Sequence, residues 1–282
     1  MATAAEHTVS IEETREAWDA IATGYDRYVT PTHEWLGNEA LSRAGLKAGM
    51  RFLDVASGSG ALSIPAARLG AEVLATDISQ TMAERLEARA ASEGLVGVEA
   101  RVMDGHALEL EDDTYDVAGS QFGVMLFPDL PKGVGELARV TRPGGTVVLV
   151  VYGPPTQIDF LTFFMGAMQS VVPGFTGLPM DPPPLPFQVA DPEKLRGALV
   201  AAGLTDVCIE TVVETLEFET GKQMWDWVVN SNPIGAMLVA DLDDEQEAAV
   251  REALDAMLHE RSVGARPAVL TNPVHIGLGS AV

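Results

Sequence analysis

The segment Leu53-Asp54-Val55-Ala56-Ser57-Gly58-Ser59-Gly60 is an apolar run that ends in two closely spaced glycines. Gly58 and Gly60 permit a tight turn and let a ligand approach the backbone without meeting a Cβ. Acidic residues then recur at the ends of the apolar runs that follow. Asp77 ends the next run, where a carboxylate can accept both hydroxyls of a ribose. Asp104, in Asp104-Gly105-His106, ends the third, where it can accept from an adenine amino group. Asp116 lies in a fourth run that leads into Gly119-Ser120-Gln121-Phe122-Gly123. A single aspartate at a strand end is usually a turn or helix cap, whereas a series at successive ends is specific for a nucleoside site.

The elements that must carry these residues alternate along the chain. Strands are expected at 51–55, 72–76, 98–102, 115–119 and 146–151, with helices at 61–69, 80–92 and 131–140 between them. That alternation means βαβ units and a mostly parallel sheet with right-handed crossovers. The run Thr146–Val151 is almost wholly apolar and β-branched, as a central strand covered on both faces must be. Two helices, 11–28 and 34–44, precede the core. A proline-rich stretch, 153–190, reads as an insertion or lid, because loops of this length in compact domains are usually functional. A helix at 191–202, a strand at 206–218, helices near 221–240 and 243–261 and a last strand at 269–278 complete the chain, which is expected to be one domain.

A dinucleotide site would favour a third glycine where Ser63 stands. Asp54, immediately before the turn, would repel a pyrophosphate there. It suits a ligand that carries an ammonium and a sulfonium and no phosphate, and S-adenosylmethionine (SAM) is such a ligand.

At this level residues 51–151 resemble the core of class I SAM-dependent methyltransferases, nearest to the ubiquinone/menaquinone-biosynthesis-like and type 11 groups. Leu53–Gly60 is similar to their glycine-rich first motif, with Ala56 and Ser57 where Gly and Cys are commoner. Asp77-Ile78-Ser79 followed by Met82 resembles the ribose motif, Asp104–Leu108 the adenine-side loop, and Arg139–Gly145 the turn before the fifth strand. Tyr25-Asp26 resembles a pair that folds over the cofactor. The resemblance implies a doubly wound, Rossmann-like α/β fold of seven strands in the order 3-2-1-4-5-7-6, with helices on both faces. It also implies SAM as cofactor and S-adenosylhomocysteine (SAH) as product. By the same resemblance Gly58, Gly60, Ala56 and Ser57 approach the methionine moiety above Asp54, and Tyr25 covers it. Asp77 holds the ribose, Ile78 and Met82 flank the adenine, Asp104 with Gly105 and His106 reads its amino group, and Gln121 and Phe122 line the sulfonium end.

Methyl transfer from a sulfonium is an in-line displacement, which needs alignment and exclusion of water more than a base. Many relatives of this resemblance place a histidine after the fourth strand, but here that stretch reads Gly123-Val124-Met125-Leu126-Phe127. His33, in the segment expected over the cofactor, is the candidate catalytic base; the competing expectation is a surface or capping histidine. His275 is expected to pack or to face solvent, and His7 and His259 carry no signal. The histidines and the single Cys208 give no metal-ligand spacing, so no metal is expected. Phe160, Leu161, Phe163, Phe164, Met165 and Met168, with Trp225, Trp227 and Met237, supply apolar surface either for the core or for a small apolar or aromatic acceptor.

The formal charge of −23 repels phosphate backbones, and the Asn/Asp-Pro-Pro-Tyr motif of amino-methylating enzymes is absent, so nucleic acid is not an expected partner. No secretory signal opens the chain and no apolar run spans a bilayer, so the expected location is the cytoplasm. The oligomeric state is not legible. Two alternatives stand beside a methyltransferase: a SAM-binding protein without turnover, and an NAD(P)-dependent oxidoreductase.

Overall fold

A computed structural model describes residues 10–282; His7 lies outside them. Seven strands form one sheet in the order β3-β2-β1-β4-β5-β7-β6. They are β1 (Arg51–Val55), β2 (Glu72–Asp77), β3 (Val98–Val102), β4 (Tyr115–Gln121), β5 (Thr141–Tyr152), β6 (Thr205–Phe218) and β7 (Ala268–Ser280). The first five pair in parallel, and β7 runs antiparallel to both β5 and β6. The order reverses between β1 and β4, so the carboxyl ends of β1, β2 and β4 open onto one crevice, the place where doubly wound sheets bind ligands. Phe52–Val55 and Val147–Tyr152 are buried throughout, as strands covered by helices on both faces must be.

At the amino end α1 (Ile11–Gly24) opens with a capping box between Ser10 and Glu13. The chain does not break before the second helix, as the sequence suggested. It passes through one π turn, Tyr25–Val29, directly into α2 (Thr30–Arg43). Pro31 removes one backbone donor from this continuous helix, and the Asp26 carbonyl accepts instead from Arg89 Nη2 at 2.9 Å. The π turn brings the Tyr25 ring against Gly58, where an added Cβ would lie 3.3 Å from Tyr25 Cε1. Single π turns of this kind often sit at functional sites.

α2 lies closely over the glycine-rich turn between β1 and α3 (Ser63–Arg68). Thr30 and Ser59 share a hydroxyl hydrogen bond of 2.6 Å, and a Cβ on Gly37 would stand 2.5 Å from the Ala61 carbonyl oxygen. Gly37→Ala must therefore push α2 off the turn. We expect a loss of about 1–3 kcal/mol, as for other overpacked sites, read as a lower midpoint in urea at unchanged slope.

Other expectations need correction. Asp116 sits near the amino end of β4, away from the crevice, where its carboxylate accepts from Arg51 N (2.8 Å) and pairs with Arg142 Nε (2.7 Å). Arg142–Gly145 is a bulge inside β5: Thr141 pairs with Tyr115, and pairing resumes at Thr146 with Val117. The helix expected at 221–240 is two, α8 (Gly221–Ser231) and α9 (Pro233–Val239). Asn232 between them is extended, since the residue before a proline disfavours helical backbone, and its side chain caps Gly235 N.

The proline-rich insertion is partly core. Its helix α6 (Asp159–Val171) packs against α10 (Asp244–Arg261) and β7, burying Phe164 and Met168. Asp159 fixes its start by accepting from Thr271 N (2.9 Å) and pairing with Arg261 (2.7 Å). Beyond it, Gln188 donates to the carbonyls of Met125 and Phe127 at 2.7 and 3.0 Å, which ties residues before α7 (Pro192–Ala201) to the loop after β4. Among the described residues no helix is long and apolar enough to cross a membrane.

Candidate active site

Two cavities meet at the carboxyl ends of the strands. The first, about 880 Å³ counted out to its mouth, is bounded by α1, the π turn and the ends of β1, β2 and β4. Its lining brings together Tyr25, Ala56, Gly58, Asp77, Ile78, Asp104, Gly105, His106, Gln121 and Phe122 of the expected cofactor set. Asp54, Ser57, Gly60 and Met82 do not line it. Met82 is fully buried in α4 (Gln80–Ser92), and a Cβ on Gly60 would press into Ile64 and Leu86 at 3.0 and 3.1 Å. Gly60 thus serves the packing of the turn onto α3 and α4, with a φ of +102° that favours glycine.

Asp77 ends β2 with its carboxylate held from both sides: Gly58 N donates to Oδ2 at 2.8 Å and Ser79 N to Oδ1 at 2.9 Å. Each oxygen keeps a second lone pair for a ligand. Burial raises its pKa to about 6 against the pull of those N–H donors. Asp54, buried behind the turn, takes a 2.6 Å bond from the Ser63 hydroxyl and leaves Oδ1 without a partner. Burial, with the charge of Asp77 adding to it, raises its pKa to about 7 despite the Ser63 bond. Asp104 differs. Burial works to raise it, but the backbone N–H and ring of His106, at 2.9 and 2.8 Å, hold its carboxyl below the usual range. His106 in turn lies tilted against Phe127, ring centroids 4.4 Å apart, which closes that end of the cavity.

Two non-glycine residues at the crevice have left-handed backbone, Ala56 at φ +55° and Phe122 at φ +58°. Such conformations are costly and cluster at functional sites. Ala56 occupies a position where the resembled family commonly has glycine, and its Cβ is accommodated by Gly123, where an added Cβ would come within 2.5 Å of it. The turn at Phe122 places its ring in the wall shared by both cavities, stacked on Tyr152 at 4.3 Å.

The second cavity, about 820 Å³, is lined mainly by apolar and aromatic side chains. Trp18, Tyr25, Phe122 and Leu126 separate it from the first, and Phe160, Leu161, Met165 and Trp227 form much of the rest. The apolar stretch of the insertion therefore divides by helix face. Phe160, Leu161 and Met165 reach the cavity, while Phe164 and Met168 pack in the core. Trp225 also packs away from it, under the Arg251 guanidinium, and Met237 is exposed, so it serves neither the core nor an acceptor wall, the two expectations for it.

His33 lines this second cavity and is only 3% exposed, so it is not a surface histidine. Its carbonyl accepts from Gln121 Nε2 at 3.0 Å, which joins α2 to the end of β4. His275 is buried in β7 and bonded to Thr211 and the Ala190 carbonyl, a structural role. Tyr152, at the carboxyl end of β5, and Glu214, in the middle of β6, are polar groups at this site that the sequence reading passed over. Tyr152 was recoverable as a tyrosine closing an apolar strand at the ligand edge. Glu214 gave no signal, because β6 carries other glutamates at 210 and 217 and alternates like an edge strand.

Comparison with known proteins agrees with this architecture. A family model described as a methyltransferase domain matches residues 53–149, from β1 to β5. An uncharacterised protein of Mycobacterium bovis is 31% identical over 226 residues, 80% of this chain and 78% of that one. The chain belongs to the class I SAM-dependent methyltransferases. Within this methyltransferase family, a demethylmenaquinone methyltransferase of Clavibacter sepedonicus is 35% identical over 144 residues, 49% of this chain and 57% of that one. A Haemonchus contortus phosphoethanolamine N-methyltransferase 2 solved with phosphomonomethylethanolamine and SAH shares the fold. Its TM-score is 0.59 at 17% identity, covering 97% of this chain and 61% of that one.

The first cavity of this methyltransferase fits SAM by its chemistry. Its lining includes Asp77 and Asp104 and, among the described residues, no lysine or arginine. A pyrophosphate would find carboxylates and no cation there, whereas an ammonium and a sulfonium find the charge they need.

Proposed function

We propose that the chain moves a methyl group from SAM, held in the first cavity, to an oxygen, carbon or nitrogen of a small, largely apolar or aromatic acceptor held in the second. The observation that carries this reading is the common wall: Phe122, Tyr25, Trp18 and Leu126 face both cavities. The two spaces adjoin along these residues, so donor and acceptor would be held for in-line displacement, an arrangement worth up to about 7–11 kcal/mol of the barrier. SAM when bound supplies an electrophilic methyl on a positively charged sulfur.

The protein's own part is positioning and desolvation. Asp77 binds the ribose, Asp104 with Gly105 and His106 the adenine, Ile78 lies against it, and Ala56 and Gly58 admit the methionine end. Asp54, Ser57, Gly60 and Met82 support these from behind the turn. Gln121 and Phe122 mark the sulfonium end, and His33 is the candidate base on the acceptor side. The charge of −23 favours a small metabolite over nucleic acid, and a cytoplasmic setting fits the composition.

The test is incubation with SAM labelled in its methyl group and fractionated small-molecule extracts. We expect label in organic-soluble products together with SAH in equal amount. Tight SAM binding with no SAH formed in any fraction would support a binding protein without turnover and overturn the transfer reading.

A further inference from the structure

Four polar side chains are buried together beside the acceptor cavity, whose walls are mainly apolar. Glu214 is fully buried in β6. Its Oε2 accepts from Asn272 Nδ2 at 2.8 Å and from the Tyr152 hydroxyl at 3.3 Å. Its Oε1 has no well-aligned hydrogen bond, and its near neighbour is His33 Nε2 at 3.2 Å. Isolating a carboxyl group in this way is costly unless the group has a task or full pairing.

The arrangement decides which ring nitrogen of His33 carries the proton. Nε2 lies between Glu214 Oε1 and the Tyr152 hydroxyl at 3.4 Å. A carboxylate accepts more strongly than a neutral ring nitrogen, so the single phenolic proton is assigned to Glu214 Oε2 at 3.3 Å, and both neighbours then present lone pairs to Nε2. Burial and the nearby Glu214 keep the Tyr152 phenol protonated, its pKa raised well above the usual value. Nε2 must therefore be the donor, which leaves the lone pair of the neutral ring on Nδ1. Nδ1 is buried and has no partner, on a side chain that lines the acceptor cavity. The His33 ring is kept in place by Phe122, with centroids 4.9 Å apart, and by the edge of Trp227 at 5.8 Å.

We propose that Glu214 is a positioning residue that holds His33 as the Nε2–H tautomer, so that Nδ1 accepts a proton from an acceptor bearing a phenol-type hydroxyl. The inference rests on the reading of the second cavity as the acceptor site. In the transfer, the hydroxyl proton passes to Nδ1 and the oxygen lone pair forms the new bond to the methyl carbon. The carbon–sulfur bond breaks, and its electron pair stays on sulfur as the neutral thioether of SAH. The imidazolium is stabilised by Glu214 until its proton returns to solvent. A flat hydroxylated ring matches the aromatic walls formed by Phe122, Tyr152, Phe160 and Trp227.

Nitrogen-15 NMR of the histidine rings in the full chain loaded with SAH tests this, with SAH binding confirmed first by calorimetry. Failure of that binding would count against the cofactor reading instead. In wild type above the imidazole range, His33 is expected to show a protonated Nε2 and a bare Nδ1. Glu214→Met should give a mixture of tautomers while SAH affinity stays within about twofold, and Glu214→Gln, which keeps an acceptor oxygen, should restore the single tautomer. Added 2-naphthol, a small flat hydroxyl probe, should move the Nδ1 resonance toward the protonated range. A wild-type ring with its proton on Nδ1, a measurement that needs no variant, overturns the proposal, as does a tautomer indifferent to Glu214→Met. A naphthol that fails to bind, or binds without moving Nδ1, overturns the hydroxyl class.

Discussion

Replacing Asp77 by alanine should weaken SAM binding by about 100-fold or more while leaving a folded protein. The carboxylate already holds Gly58 N and Ser79 N, and in the proposed reading its remaining lone pairs take two ribose hydroxyls. Hydrogen bonds to a charged group in a buried site are each worth about 1.5–3 kcal/mol, and each 1.4 kcal/mol is a factor of ten in affinity. The variant also leaves two backbone N–H groups of the turn without partners, which disorders the face the cofactor meets. Asp77→Asn keeps one acceptor oxygen and should fall between wild type and alanine. Calorimetric titration measures all three. An alanine variant that binds SAM as wild type does would remove Asp77 from the site.

The ligand-free protein should lose stability as pH rises from about 4.5 to 7.5, and SAM should bind more tightly over the same interval. Burial raises Asp54 to about 7 and Asp77 to about 6, both above their values in an unfolded chain. A folded state that holds protons the unfolded state has released is stabilised at low pH. That stability is lost as pH climbs through the folded values. At 1.4 kcal/mol per pH unit each carboxyl contributes on the order of 3 kcal/mol, reduced by any water that enters. Asp116 and Glu136 act in the opposite sense: hydrogen bonds from Arg51 and Arg139 hold them below the usual range, so their contribution is lost only in stronger acid. A bound cation reverses the slope by favouring the ionised carboxylates, so SAM binding should release protons. Calorimetry in buffers of different ionisation heat reads that release, and urea melts across the interval read the stability. Flat stability from pH 5 to 8, or proton uptake on binding, would contradict the electrostatic account.

Much of this architecture was legible because the signals are local. Strands β1 and β5 announce themselves by continuous apolar runs, Gly58 by the turn it permits, and Asp77 and Asp104 by standing where such runs end. The sheet order came with the family resemblance and is the order observed. What stayed hidden depends on contacts between distant segments. Asp116 was grouped with the aspartates at strand ends, but it stands at the amino end of β4, far from the crevice, where it accepts from Arg51 N of β1. The split at Asn232 follows from the proline after it and was obscured by an apolar pattern that continues across the break. Glu214 is the clearest case. Its neighbours in sequence describe an ordinary edge strand, and its environment is made by α2, β5 and β7, with His33, Tyr152 and Asn272 each far from it along the chain. No local periodicity carries such information.

The central claim is that the crevice between β1, β2 and β4 is built for an adenosyl cation. Thermal unfolding at pH 7.5 with SAM, SAH or NAD as the added ligand tests it most directly. Ligand present at about 100 times its dissociation constant adds roughly 2.7 kcal/mol to a native state that alone binds it. The account predicts that stabilisation with SAM and SAH and none with NAD. Stabilisation by NAD, or indifference to both adenosyl ligands, would contradict it.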